Sequence, residues 1–380
     1  MPLDYPTLKI IWWLFIGVLL IGFAIMDGHD MGVGTLLPVI GRSDEERRVL
    51  LNTIGPHWEG NQVWLVTGAG ALFAAWPLVY AAAFSGFYWA MMAALWALFL
   101  RPVGFHYRSK LADARWRSAW DWGLVIGSAV PPLLFGVAFG NLLQGVPFHF
   151  DADLRAHYSG GLGGLLNPFA LLAGALALAM MCLHGATFLA HRCTEVLQQR
   201  ARRAAVVSGL LTLALFTLAG LWLWLGNFGY AITSTIDPAA LANPLAKTVE
   251  ARPGAWFDNY REQPASLLLP ATAYVATALA MLLVVRRRTL AAFVASAFTQ
   301  AAIIGTAGAA MFPFLMPSST APGSSLTAWD AVASHRSLGV MFWVTILLLP
   351  LVCMYTAWAY RVMRGKVTAA YVRENEHSLY

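Results

Sequence analysis

Apolar runs long enough to cross the hydrocarbon of a bilayer recur along this chain, and no other feature restricts its fold so far. A crossing helix needs about 20 apolar residues, and candidates lie near 8–40, 49–75, 78–101, 120–143, 164–191, 204–226, 265–285, 290–314 and 337–363. In lipid every backbone N–H and C=O must be paired within its own segment or a closed sheet. About nine such runs therefore predict an all-α, polytopic integral membrane protein forming one membrane domain over 1–380. With 12% of residues charged and 59% hydrophobic, the chain carries about half the charge of a soluble domain. The first run is too long for one straight crossing and should tilt or break between Gly28 and Pro38. Pro131 and Pro132 should kink the fourth. No basic leader with a small-residue cleavage pattern is visible, so the first run is read as retained.

Basic residues gather in alternate connections: Arg42 to Arg48, Arg101 to Arg117, Arg192 to Arg203, Arg286 to Arg288, and the tail from Arg361. The other connections hold only Lys9, Arg155, Lys247, Arg252, Arg261 and Arg336. Positively charged loops stay in the cytoplasm, which predicts a periplasmic N-terminus and a cytoplasmic C-terminus. The net charge of +6 does not point to nucleic acid, because these residues form no basic fold of their own. Cys182, Cys193 and Cys353 show neither a metal-type spacing nor an even disulfide framework. The long connections 144–163 and 227–264 are too short for separate domains.

Against this apolar background the stretch from Asp27 to Trp64 stands out. Asp27 and Asp30 are three residues apart and share a helix face. Gly28 and Gly32 form a G-x-x-x-G that admits a second backbone. Glu59 and Gln62 repeat the three-residue spacing beside His57, Asn61 and Trp64. An ionised carboxylate in lipid costs several kcal/mol and commonly marks an ion or proton path, so Asp27, Asp30 and Glu59 are candidate proton carriers toward the cytoplasmic side. The plain alternative is that they join helices by hydrogen bonds. His29, His57 and His184 are in-membrane imidazoles and therefore candidate haem ligands. No C-x-x-C-H and no ligand pair on facing helices can be picked out, so they are read as structural and no metal ligand is assigned. The string Met316 to Thr320 is expected to be an extracellular helix end, and Asp121 and Asp330, beside Trp122 and Trp329, interface anchors. There is no G-x-S-x-G, Walker or dinucleotide motif, and no catalytic residue is assigned.

These residues also carry a resemblance. The strings I-W-W, D-G-H-D-M-G-V-G, E-R-R, N-T-I-G-P-H-W-E-G-N-Q-V-W-L, G-A-L-F-A-A-W-P, R-P-V-G-F, W-D-W-G, G-V-A-F-G-N-L-L-Q-G-V-P, M-F-P-F-L-M-P-S-S-T and the terminal H-S-L-Y resemble subunit II of the bacterial cytochrome bd ubiquinol oxidases from end to end. The resemblance implies two four-helix bundles plus one peripheral helix. It also implies a subunit I partner holding two haem b and one haem d, small single-helix accessory subunits as further partners, and a home in the bacterial inner membrane among its lipid. The implied reaction oxidises ubiquinol and reduces oxygen to water, building a proton motive force by charge separation without pumping; this chain alone would be silent. The family's proton route maps onto Glu59, where Asp is usual, and Tyr380, with Asp27 and Asp30 shaping the field. Oxygen access maps near Trp64, and a quinone-binding cleft belongs to this subunit, its contacts unassigned. Two departures are His29, where an aromatic is common, and His106, where an acid is common. His106 is expected in a cytoplasmic loop, changing only local charge. The rival classes are a proton-coupled transporter using Asp27, Asp30 and Glu59, against which no paired repeats with broken helices are evident, and a pure scaffold.

Overall fold

The computed structural model describes residues 3–226, 228–375 and 380. Helix α1 (Tyr5–Ile40) runs for 36 residues. Asp4 caps it by accepting from the Thr7 N–H at 3.2 Å, and Pro6 falls in the first turn, where no backbone donor is needed. The expected break near Gly28 does not occur. Packing on every side of this segment, where residues 27 to 34 are all buried, holds the glycines helical. At 1.5 Å per residue the helix is about 54 Å long against about 30 Å of hydrocarbon, so it must tilt or project.

The expected span 49–75 is divided. Helix α2 (Asp44–Ile54) starts with a capping box between Ser43 and Glu46, and α3 (Trp58–Ala75) starts anew after Pro56, which cannot donate to the preceding turn. The α2 carboxylate Glu46 is partly desolvated, but bonds from the Arg42 and Ser43 amides and from Arg200 hold it below the usual carboxylate range. The run near 78–101 is likewise split into α4 (Pro77–Gly86) and α5 (Tyr88–Tyr107). Helix α6 (Ala114–Gln144) continues through Pro131 and Pro132. There follow α7 (Leu162–Leu165), α8 (Pro168–Arg192), α9 (Glu195–Leu225), α10 (Asp258–Glu262), α11 (Leu268–Val285), α12 (Thr289–Met311), α13 (His335–Val362) and α14 (Ala369–Glu374). Among the described residues eight helices are long and apolar enough to cross a membrane. The ninth expected span, α3, has 18 residues but opens on the polar W-E-G-N-Q.

Helix α1 packs against α3, α6 and α8, α5 against α6, α8 against α6, α9 and α12, and α11 against α9 and α12, while α13 meets the bundle chiefly through α1. This is the grouping into two four-helix sets and a peripheral helix. The sets join where α1 crosses α8. A Cβ built on Gly32 would lie 2.1 Å from the Met181 carbonyl oxygen, and one on Gly185 would lie 2.5 Å from the Gly32 carbonyl carbon. At Gly28 the nearest atom is a Met181 side-chain carbon at 3.5 Å, ordinary contact. Gly32→Ala is therefore expected to destabilise by about 1–3 kcal/mol, as overpacking does, and Gly28→Ala by much less. Thermal denaturation of the purified complex checks this, and equal midpoints for the two variants would contradict the crossing geometry.

At one end the loops are tied by three hairpins: β1 (Phe148–Phe150) with β2 (Ala156–Tyr158), β3 (Tyr230–Ile232) with β4 (Val249–Ala251), and β5 (Phe314–Met316) with β6 (Leu326–Thr327), all antiparallel. Met316 to Thr320 is thus a strand and its exit rather than a helix end. Ser318 and Thr320 both donate to the Phe148 carbonyl, Thr320 at 2.7 Å. Asp330, expected as an interface anchor, pairs with Lys247 at 2.9 Å. At the other end Asp121 is buried between Arg47 at 2.8 Å and Arg108 at 2.5 Å. It ties α2 and the turn after α5 to α6 rather than anchoring an interface.

Candidate functional site

The site is built where α1 meets the α2–α3 turn, α5, α8 and α13. Asp27 on α1 accepts two hydrogen bonds from Arg101 on α5, Nη1 to Oδ2 at 3.0 Å and Nη2 to Oδ1 at 2.7 Å. Both side chains are buried, and the paired geometry is the strongest form of carboxylate recognition. By sequence Arg101 falls in a charged connection; instead it lies inside α5, its guanidinium carbon over the Trp58 ring at 5.6 Å from the centroid.

Asp30 points elsewhere. Its Oδ2 accepts from Asn61 Nδ2 at 2.7 Å. Its Oδ1 lies 3.2 Å from His29 Nε2 and 3.6 Å from His57 Nδ1. Asn61 also reaches the Tyr360 hydroxyl at 2.7 Å, and His57 stacks on the Tyr360 ring with centroids 4.7 Å apart. Tyr360, near the end of an apolar run, is a site residue that the sequence reading missed; a lone tyrosine there looks like an interfacial anchor.

Glu59 does not join this cluster. It stands in the first turn of α3 with its side chain 66% exposed, 3.5 Å from His106 Nε2. The expectation of one acid cluster with Asp27 and Asp30 is corrected, because the helix start turns Glu59 outward while His57 and Asn61 turn inward. His106 is corrected too: it sits in the last turn of α5, not in a loop, and its ring is 5.7 Å from that of Tyr380. Tyr380 is held by Asn52, donating to Oδ1 at 3.0 Å and accepting from Nδ2 at 2.8 Å. Residues 377–379 of the terminal H-S-L-Y lie outside the described residues. Glu59, His106 and Tyr380 thus form a line across one end of the bundle.

A cleft of 570 Å³ between α1, α3 and α13 joins this line to the interior. Glu59, His57, Asn61 and Tyr360 supply its polar wall, and Trp12, Phe15, Val63, Trp64 and Leu348 part of its apolar wall. The Trp64 ring covers Gly22, where a Cβ would approach to 2.4 Å. Beyond it, Phe23, Ala24 and Leu65 open onto a second, almost wholly apolar cavity of 460 Å³ reaching Phe135, Met180 and Trp256. Trp64 lines the first cavity and packs against the cluster of Phe23, Ala24 and Met181 that borders the second.

The histidines do not suit haem. His184 commits Nδ1 to Ser296 at 2.7 Å and Nε2 to the Ile25 carbonyl at 3.0 Å, and its ring is stacked on Phe293. His29 Nε2 and His57 Nδ1 are turned toward Asp30 Oδ1, at 3.2 and 3.6 Å, rather than into an open cavity.

Fold and site together define an all-α polytopic membrane protein with ionisable groups buried at its helix crossings. The chain belongs to the cytochrome bd terminal oxidase subunit II family, whose model matches residues 8–363. It is 54% identical over 378 residues to the cytochrome bd-I ubiquinol oxidase subunit 2 of Escherichia coli K12, with 100% of both chains covered. Identity to the cytochrome bd ubiquinol oxidase subunit 2 of Bacillus subtilis is 31%, covering 95% of this chain and 97% of that one. A chain of the solved bd oxidase from Geobacillus thermodenitrificans shares the fold at a TM-score of 0.69 and 17% identity, over 94% and 98% of the two chains. The protein is therefore a membrane subunit of a cytochrome bd-type oxidoreductase, and subunit I is its partner.

Proposed function

We propose that this chain is the non-haem half of a quinol oxidase: it braces subunit I, admits protons and oxygen, and holds a quinone. The haems, two b and one d, supply electron transfer and oxygen chemistry from subunit I, where ubiquinol is also oxidised. Protons consumed in forming water enter from the cytoplasm, so charge is separated across the inner membrane without pumping. The observation that carries the reading is the cleft that joins an exposed carboxylate to a buried polar cluster.

Glu59 takes up protons at the exposed end, with His106 and Tyr380 beside it. Cleft-lining Asn61 and Tyr360 lead inward, where Asp30, accepting from Asn61, shapes the local field. Asp27, neutralised by Arg101, sets the local field without itself carrying protons. The same cleft fits a quinone: Tyr360 and Asn61 can hydrogen-bond ring oxygens, while Phe15, Val63 and Leu348 give an isoprenoid tail an apolar bed.

Oxygen partitions into apolar space, and the cavity behind Trp64 has almost no polar wall. Trp64→Ala removes the ring packed between the first cavity and the Phe23 and Ala24 border of the second. It is expected to change the apparent oxygen affinity of the complex severalfold while leaving the apparent ubiquinol affinity within about twofold. Oxygen consumption at varied oxygen and varied ubiquinol tests this; equal effects on both, or on neither, would make Trp64 a packing residue.

A further inference from the structure

At the centre of the site two imidazole nitrogens and a carboxylate oxygen face one another. A neutral imidazole carries a hydrogen on one ring nitrogen and a lone pair on the other. His29 Nδ1 lies 3.0 Å from the Ile25 carbonyl, which only accepts, so Nδ1 carries the hydrogen and Nε2 the lone pair. That Nε2 is 3.2 Å from Asp30 Oδ1, and among the described residues neither atom has a hydrogen-bond partner. His57 Nδ1 stands 3.6 Å from the same oxygen. Asn61 cannot satisfy everything around it. Its amide has two hydrogens and three acceptors in reach: Asp30 Oδ2 at 2.7 Å, Tyr360 Oη at 2.7 Å and His57 Nδ1 at 3.1 Å. The three side chains are 1%, 0% and 7% exposed. Arg101 is spent on Asp27, so the Asp30 charge is left to be met at this point. A proton would join one pair of these atoms; a metal ion would satisfy all three.

We propose that His29 Nε2, Asp30 Oδ1 and His57 Nδ1 bind a divalent transition-metal ion, with Zn²⁺ the ion of best fit. All three atoms lie within 4.8 Å of one another. Tetrahedral zinc with bonds near 2.1 Å sets its ligands about 3.4 Å apart, and the separations of 3.2 and 3.6 Å bracket that spacing. Two imidazoles and one carboxylate suit zinc better than magnesium or calcium. The outer contacts are those a metal site uses to aim its ligands: the Ile25 carbonyl fixes the His29 ring, and Asn61 holds the second Asp30 oxygen. The Tyr360 hydroxyl, 3.5 Å from His57 Nδ1, is placed to be a fourth ligand or to hold a water there. Such an ion would clamp the middle of α1 to the α2–α3 turn.

The test uses the purified two-subunit oxidase, washed with chelator, reloaded with micromolar Zn²⁺ and desalted, with haem iron counting the complexes. Wild type is expected to retain about one zinc per complex, with a zinc K-edge spectrum showing imidazole and oxygen ligands. His29→Phe, which keeps a ring and removes the ligand nitrogen, should fall below about a tenth of an equivalent. The exposed pair His157–Asp151 is the surface alternative, so His157→Ala should keep the full equivalent. No zinc in reloaded wild type, equal zinc in wild type and His29→Phe, or zinc lost with His157→Ala but kept with His29→Phe would each overturn the proposal.

Discussion

Glu59→Gln is expected to leave the oxidase assembled with its haem intact while slowing oxygen reduction about tenfold or more, and Glu59→Asp is expected to keep much of the rate. Gln matches Glu in size and can hydrogen-bond, but it cannot take up and release a proton, and positioned proton transfer commonly contributes about 10²–10⁴ in rate. The position makes the experiment clean. Glu59 is 66% exposed and its ionisable neighbour is His106 at 3.5 Å; an exposed pair of this kind contributes about 0–1 kcal/mol, so folding should not change. A purely structural Glu59 forecasts the reverse, with Gln tolerated and any damage appearing as lost assembly. The deciding measurement is turnover per assembled haem together with proton uptake in vesicles. Wild-type values in an intact Glu59→Gln complex would remove Glu59 from the route.

How far the sequence reaches is clearest at particular residues. The apolar runs were legible because a helix in lipid must satisfy its own backbone, which is local information. Pro56 was also visible, yet 49–75 was read as one span because the apolar residues of α2 continue the pattern; burial of Val49, Leu50 and Leu51 against the bundle end looks the same as burial in lipid. The stretch from Gly28 to Pro38 suggests a tilt or a break, but glycine bends a helix only where neighbours leave room, and α8 leaves none at Gly32. The acid pair on α1 and the stripe at His57, Asn61 and Trp64 were found in sequence because polar residues stand out in apolar chain. Their partners were not. Arg101 closes the Asp27 pair from 74 positions away, and an arginine at the end of an apolar run gives no local sign of whether it faces water or a carboxylate. The outward turn of Glu59 toward His106 and Tyr380 likewise depends on where α2, α5 and the C-terminus meet, and no spacing in α3 encodes that.

Arg101→Leu is expected to cost the most stability of any substitution considered. It leaves the Asp27 carboxylate buried at 0% exposure with no counter-charge, and breaking one half of a buried pair typically costs about 3–5 kcal/mol. That is enough to lower the yield of assembled, haem-loaded complex severalfold. Asp27→Asn should behave alike, stranding the guanidinium instead. Combining Asp27→Asn with Arg101→Gln removes both charges and keeps a hydrogen-bonding pair, so the double variant should recover more than half of the lost stability. Interaction energies between contacting residues of this kind are read from such cycles. Thermal midpoints of the four purified complexes measure the coupling, and additive single effects would show that the pair does not hold α1 to α5. The double variant also decides what Asp27 does. A paired carboxylate that only sets the field can be neutralised with its partner at little cost to turnover, whereas a carboxylate that carries protons cannot. Near-wild-type turnover in an assembled double variant would remove Asp27 from the proton route.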